Sequence, residues 1–232
     1  LTTFDEQRRR VVEYLILAGY LRNPRVIKAL LTVPRELFVP DHLRNYAYMD
    51  TPLPIGYGQT ISAIHMVAIM TEELDPEPGD VVLEVGTGSG YQAAVLAEIV
   101  AKQDPSKKGH VYTIERIPQL AEFARKNLER AGYKDYVTVI IGDGTLGYPE
   151  KAPFNKIIVT AGAPSVPKPL LDQLAEGGKM VIPVGDLYAQ RLLIIEKRGG
   201  AIYRKWGIEC VFVPLIGEYG WQFTRELDST EL

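Results

Sequence analysis

The chain has 232 residues, 46% of them hydrophobic, and a formal net charge of −3. That length suffices for one well-buried core, and the slightly acidic balance argues against a nucleic-acid partner, because a phosphate backbone asks for a basic surface. A single cysteine, Cys210, forms no internal disulfide, and His42, His65 and His110 stand too far apart for a metal-ligand spacing. No apolar signal core opens the chain (LTTFDEQRRR) and no stretch reaches membrane-spanning length. The expected setting is the cytoplasm, with no metal and no membrane.

Thr3 followed by Glu6 predicts a capping box. The helix it opens carries Phe4, Val11, Val12 and Leu15 on one side, with Arg8, Arg9 and Arg10 on a solvated face. Asn23-Pro24 opens a second helix, where the missing proline N–H is harmless; Val26, Ile27, Leu30 and Leu31 form its apolar side. Val33-Pro34-Arg35-Glu36 ends it, and Phe38-Val39-Pro40 follows as an extended stretch. Residues 46–62, YAYMDTPLPIGYGQTIS, have neither helical nor strand periodicity and predict a fixed loop, a kind of segment that often carries function. Ser62 sits where an N-cap belongs, before a helix reaching about Leu74 with Val67 and Met70 inward. Loop and helix are expected to reach across the carboxyl ends of the sheet that follows.

That sheet begins with VVLEV, residues 81–85, an apolar run of the kind a buried parallel strand needs. Gly86-Thr87-Gly88-Ser89-Gly90 ends it, and Gln92 to Ile99 reads as a helix. Further strands are predicted at HVYTIE up to Glu115, at Tyr136 to Ile141, at Phe154 to Val159 and at Lys179 to Val184, with helices from Pro118 and over Pro167 to Leu174. Arg191 to Glu196 and Tyr203 to Pro214 lie too close for a helical crossover and are expected to pair as an antiparallel hairpin. The predicted architecture is a single α/β domain over 1–232 with a Rossmann-like, seven-stranded, mostly parallel sheet. Its parts are N-terminal helices and loop (1–78), the α/β core (79–185), and a terminal hairpin with C-terminal segment (186–232).

Ligands of such sheets gather at the carboxyl ends of the strands. The G-x-G-x-G spacing with Glu84 just before it fits an S-adenosylmethionine turn better than the G-x-G-x-x-G of dinucleotide folds, and it lacks the Gly-Lys-Ser/Thr of a P-loop. Gly86, Thr87, Gly88, Ser89 and Gly90 are expected to face the amino acid and ribose of a nucleoside ligand. Glu84 either organises the turn or meets a cationic amino group through water. Glu115 can accept both hydroxyls of a ribose, or stand on the surface before Pro118. Asp143 can accept from an adenine amino group beside the open N–H of Gly144, or stabilise its own turn.

At this point the chain resembles the protein-L-isoaspartate (D-aspartate) O-methyltransferases. The matching stretches are VPRELFVP (33–40), YMDTPLPIGYGQTIS (48–62), VVLEVGTGSGYQAAVLA (81–97), VYTIE (111–115), GDG (142–144), APFNKIIVTAGAP (152–164), QLAEGGKMVIPVG (173–185) and FVPLIG (212–217). The resemblance implies a class I methyltransferase, monomeric, that moves the methyl group of S-adenosyl-L-methionine to the free α-carboxylate of L-isoaspartyl residues in damaged proteins. S-adenosyl-L-homocysteine is the other product. It assigns the essential hydroxyl to Ser62, places Thr60 and Ile61 in the pocket lining with His65 close by, and matches the ribose and adenine contacts to Glu115 and to Asp143 with Gly144. Ile64 departs from the proline common at that position. A carboxylate is already ionised near neutral pH, so the reaction needs no general base, in keeping with the lack of a convincing His–carboxylate pair in the sequence. Ser62 can cap a helix or contact substrate; Tyr219 and Trp221 can cover the peptide or pack. The rivals are a methyltransferase for a small acid and a domain that only binds the cofactor.

Overall fold

The computed structural model describes residues 2–222. The central sheet has the order β5-β4-β3-β6-β7-β8-β9. Its strands are β3 (Val81–Val85), β4 (His110–Glu115), β5 (Val137–Ile141), β6 (Phe154–Val159), β7 (Leu174–Gly185), β8 (Gln190–Arg198) and β9 (Ala201–Cys210). The first five run parallel, β8 pairs antiparallel with β7 and β9 antiparallel with β8, which is the mostly parallel sheet with a terminal hairpin read from the chain. β3 lies between β4 and β6, with Val85 opposite Ile114 on one side and Val159 on the other. A strand buried on both faces needs apolar residues in succession, and VVLEV supplies them with one exception, Glu84.

Helices α1 (Phe4–Leu17), α2 (Pro24–Thr32) and α3 (Ile64–Leu74) precede the sheet, and α4 (Tyr91–Ala97), α5 (Pro118–Ala131) and α6 (Lys168–Asp172) cross over within it. The capping box of α1 is present in both directions, and Asn23 caps α2 with Pro24 in its first turn. The helix after the glycine turn widens into a π-helical turn over Glu98–Lys102.

Several local expectations are corrected. Arg8 is buried, not solvated: its guanidinium bonds Glu36 at 3.1 Å and Tyr48 Oη at 2.7 Å, and Tyr48 in turn donates to Glu36. Phe38-Val39-Pro40 joins two 3₁₀ turns, Arg35–Leu37 and Asp41–Tyr46, instead of running extended. The stretch read as loop contains a small antiparallel hairpin, β1 (Leu53–Gly56) with β2 (Gln59–Ile61). Its turn places Tyr57 at φ 55° and Gly58 at φ 67°, the two left-handed residues of the tight hairpin turn that matches strand twist. β7 starts at Leu174, earlier than the predicted Lys179, and its pairing with β6 is irregular between Phe154–Leu174 and Lys156–Lys179. β9 ends at Cys210, so residues 211–214 leave the sheet; Gly162 bridges to Pro214 instead.

Ser62 is not the cap of α3. The helix starts one residue later, its N-cap is Ala63 with no side-chain capping bond, and the carboxylate of Asp50 accepts the N–H of His65 at 2.8 Å. A carboxylate from an adjoining loop thus stabilises this helix end.

Candidate active site

The carboxyl ends of β3, β4 and β6 open into a cleft lined by glycine-rich turn, hairpin and strand-end residues. One wall is the hairpin, through Gln59, Thr60, Ile61 and Ser62; the floor is Gly86, Thr87, Gly88 and Ser89 with Tyr91 and Gln92 behind. Ile114, Glu115 and Arg116 line the second side, Gly144, Thr160 and Ala161 the third, and Val213–Ile216 close the far end.

The turn requires its glycines. Gly86 has φ +100°, and a Cβ there would stand 2.6 Å from Thr160 Oγ1. That hydroxyl donates to the Gly86 carbonyl at 2.8 Å, tying the ends of β3 and β6 together. A Cβ on Gly144 would stand 2.4 Å from Val85 Cγ1, so only glycine lets this segment pack against the end of β3.

Glu115 is 6% exposed and held from two sides: Gly88 N–H donates to Oε2 at 2.9 Å and Ile117 N–H to Oε1 at 3.1 Å. Each carboxylate oxygen accepts two bonds, so one acceptor position per oxygen remains for hydroxyls in the cleft. Glu84 is 0% exposed and lies behind the lining. Its Oε1 accepts from Thr113 at 2.6 Å, Thr113 Oγ1 meets Thr87 Oγ1 at 2.6 Å, and Oε2 has no partner among the described residues. Burial pushes the Glu84 carboxyl up to about 8, with the negative charge of Glu115 adding to the rise and the Thr113 bond opposing it. Of its two expected roles, organising the turn matches this position; it reaches the cleft only through the two threonine hydroxyls.

Asp143 also stands outside the lining. Its Oδ1 accepts from Thr145 N–H at 2.9 Å and Thr145 Oγ1 at 2.7 Å, capping a 3₁₀ turn, and Oδ2 accepts from Glu218 N–H at 2.9 Å. The turn-stabilising role is therefore present, and Oδ2 keeps one acceptor position. His65 is likewise beside the cleft, not in it. Its Nδ1 sits 2.9 Å from Asp50 Oδ1, a His–carboxylate pair the sequence did not reveal because the two residues come together through the intervening hairpin. Tyr219 and Trp221 tie down the C-terminal segment: Trp221 Nε1 donates to the Gly162 carbonyl at 3.1 Å and Tyr219 N–H to Thr145 Oγ1 at 3.1 Å.

Sequence reading missed Gln59, Val67, Tyr91, Gln92, Ile114, Arg116, Thr160, Ala161 and Val213–Ile216 as lining residues. Thr160 and Ala161 follow the end of a predicted strand and were open to the same strand-end reasoning that found Glu115. Gln92 is fixed by a bond from its Nε2 to Thr71 Oγ1 at 3.0 Å, a partner on α3 that no local pattern announces.

The cleft fits S-adenosylmethionine on its own chemistry. The glycine-rich turn lines it, a fixed carboxylate with spare acceptors stands at the end of β4, and the apolar side chains of Ile114 and Leu215 complete the lining. Among the described residues no group of three His, Cys, Asp or Glu side chains could hold a metal. This sheet order, with a glycine turn after its central strand and an acidic residue ending the next, defines the class I S-adenosylmethionine-dependent methyltransferases.

Comparison with known proteins narrows the class. Residues 6–220 match the family model of protein-L-isoaspartate(D-aspartate) O-methyltransferase. A protein-L-isoaspartate O-methyltransferase of Staphylothermus marinus is 71% identical over 220 residues, covering 94% of this chain and 98% of that one. One of Hyperthermus butylicus is 64% identical over 230 residues, covering 98% and 95%. Among solved structures, a Plasmodium falciparum beta-aspartate methyltransferase in complex with S-adenosyl-L-homocysteine superposes with a TM-score of 0.80 at 30% identity, covering 90% of this chain and 98% of that one. The chain belongs to the protein-L-isoaspartate O-methyltransferase family. It is an S-adenosylmethionine-dependent carboxyl O-methyltransferase of protein repair that acts on isoaspartyl residues.

Proposed function

We propose that Ser62 holds the isoaspartyl α-carboxylate for methyl transfer, with Thr60 and Ile61 beside it, while Gly86 to Gly90 and Glu115 hold the cofactor. The observation that carries this reading is that Ser62 and Glu115 line one and the same cleft. When bound, S-adenosylmethionine supplies an electrophilic methyl group on a sulfonium. The carboxylate arrives ionised, so the protein's task is orientation: the oxygen must stand in line with the methyl group near contact distance. A hydroxyl donor at Ser62 places the carboxylate without neutralising it. No proton is moved, and the Asp50–His65 pair has no basic duty here; His65 instead holds the loop before α3 and can meet the peptide at the rim. Thr87 and Ser89 complete the turn around the cofactor's amino acid end. The Asp143 Oδ2 position and the Gly144 N–H serve the adenine.

The reading extends to the rest of the molecule. The chain acts as one domain and as a monomer in the cytoplasm, on isoaspartyl proteins and peptides, with no nucleic acid, membrane or metal. The net charge of −3 supports the first of these exclusions; no helix among the described residues is long and apolar enough to cross a membrane.

The test is transfer of labelled methyl to two peptides of one sequence, carrying isoaspartate or aspartate. Transfer is expected to the isoaspartyl peptide alone. Ser62→Ala is expected to lower kcat by about 10- to 100-fold, the loss of one hydrogen bond to a charged group. Thermal stability should stay within roughly 0.5 kcal/mol of wild type, since the hydroxyl caps no helix. Unchanged kcat would remove Ser62 from the reaction, and no transfer to either peptide with S-adenosylhomocysteine still bound would favour a small carboxylic acid as substrate. Peptides with varied flanking residues are expected to react at similar rates, because damage occurs in many sequence contexts; a strict need for one neighbour would contradict this.

A further inference from the structure

Arg35 is 0% exposed and the largest fully buried side chain in the molecule's described part. It opens the 3₁₀ turn Arg35–Leu37 behind the cleft. Its Nε donates to the Ala47 carbonyl at 2.7 Å and its Nη2 to the Ser62 carbonyl at 2.8 Å. Those two carbonyls mark the two ends of the segment 47–62, which contains the β1–β2 hairpin walling the cleft. The guanidinium also lies over the ring of Tyr91, 4.9 Å from its centroid, and Tyr91 is the first residue of the helix after the glycine turn. From the other side, Tyr48 Oη accepts the Arg35 N–H at 3.1 Å and carries the Arg8–Glu36 pair with it.

This is an expensive way to fill a core position. A buried cation is ordinarily matched by a carboxylate in direct contact, yet the hydrogen-bond acceptors of the Arg35 guanidinium are two neutral carbonyl oxygens, the Asp50 carboxylate acts on it only through space, and its Nη1 has no partner among the described residues. Glu36, next in sequence, is taken by Arg8 and Tyr48. A leucine or methionine would pack such a site with less desolvation. What only a guanidinium can do is donate from one rigid plane to two carbonyls while stacking on a ring.

We infer that Arg35 is a positioning residue for methyl transfer: one buried guanidinium clamps both ends of the substrate-side segment, sets Ser62 at the cleft, and registers that segment against the cofactor turn through Tyr91. The inference rests on the reading of Ser62 as the substrate contact. It separates Arg35 from a residue that only fills space, because both guanidinium hydrogen bonds go to the substrate-side segment and none to Gly86–Gly90, Glu115 or Thr160.

The test compares Arg35→Lys, Ser62→Ala and the double variant for kcat and KM with an isoaspartyl peptide and for S-adenosylhomocysteine affinity by calorimetry. Lysine keeps the charge and can reach only one carbonyl at a time. Arg35→Lys is expected to lose about 10- to 100-fold in kcat, as displacement of a reacting group by an ångström does, with S-adenosylhomocysteine affinity within about threefold of wild type. In the Ser62→Ala background the same change is expected to lose less than about threefold, because coupled residues are not additive. Wild-type kcat and KM in a folded Arg35→Lys protein overturn the proposal. So does an equal loss in both backgrounds, or a parallel loss of S-adenosylhomocysteine affinity, either of which makes Arg35 a general support. If Ser62→Ala itself is fully active, the reading of Ser62 fails first, and with it the basis of the clamp. Should Arg35→Lys not fold, Arg35→Gln, which makes a single neutral bond without a buried charge, is measured in its place against the same outcomes.

Discussion

Glu115→Ala is expected to weaken S-adenosylhomocysteine binding by about 100- to 1,000-fold, the equivalent of two hydrogen bonds from ribose hydroxyls to an ionised acceptor. The carboxylate is immobilised before any ligand arrives, with Gly88 N–H on one oxygen and Ile117 N–H on the other. Its remaining acceptor positions therefore need no reorganisation to receive hydroxyl groups. Truncation removes those acceptors and also leaves two amides at a nearly buried site to be satisfied by water, so the glycine turn itself loosens at Gly88. Glu115→Gln keeps one strong acceptor oxygen and should fall between wild type and alanine. Calorimetric titration with S-adenosylhomocysteine measures the effect directly. An affinity within about threefold of wild type for Glu115→Ala would mean that the ribose is held elsewhere.

The parts of this site that the sequence made legible are those built by local rules. Val81 to Val85 reads as a central strand because both faces are covered and apolar residues must run in succession; the glycines that follow are demanded by left-handed angles at Gly86, Gly88 and Gly90. Glu115 was found because strand ends in a parallel sheet share one edge. The parts that stayed hidden depend on partners distant in sequence. Nothing in an arginine triplet on a helix says that Arg8 turns inward; Glu36 and Tyr48 decide it. Ser62 has the residue type and position of an N-cap, yet Asp50 delivers a carboxylate to the same helix end from the loop before the hairpin. The hairpin itself, Leu53–Gly56 with Gln59–Ile61, is too short to show alternation, and Pro52 before it and Pro54 within its first strand disguise it further. Arg35 belongs to the same class: a charged residue beside a proline reads as surface until Ala47 and Ser62 close around it. Val213–Ile216 reached the cleft because β9 ended early at Cys210, releasing chain to cross the sheet end.

Glu84→Gln is expected to stabilise the ligand-free protein by about 2–4 kcal/mol near pH 9 and by almost nothing near pH 4. Glu84 interrupts the central strand with a carboxyl that is fully buried, has one hydroxyl partner in Thr113, and leaves Oε2 unmatched among the described residues. Burial raises its folded-state value from 4.5 to about 8. Below about pH 4.5 the carboxyl is protonated whether the chain is folded or not, and the group has no effect on the pH dependence. As pH rises, the unfolded chain releases this proton first, so the folded state binds more protons and stability falls until the folded group ionises near 8. Its stabilising share is thus full below the unfolded value and lost through the folded one. Glutamine still accepts from Thr113, resembles the neutral acid in shape, and never ionises. Thermal melts of both proteins from about pH 4 to pH 9 should therefore coincide at the acid end and diverge steadily, by roughly 5–10 °C at the alkaline end for a domain of this size. A constant difference across the range would mean that Glu84 ionises in the folded state as readily as in the unfolded one. The placement also has a functional sense. Kept neutral behind Thr113 and Thr87, this carboxyl adds no second negative charge beside that of Glu115 at the cofactor turn. Stability near neutral pH is given up at this one residue of the sheet, directly behind the turn that must hold a charged ligand.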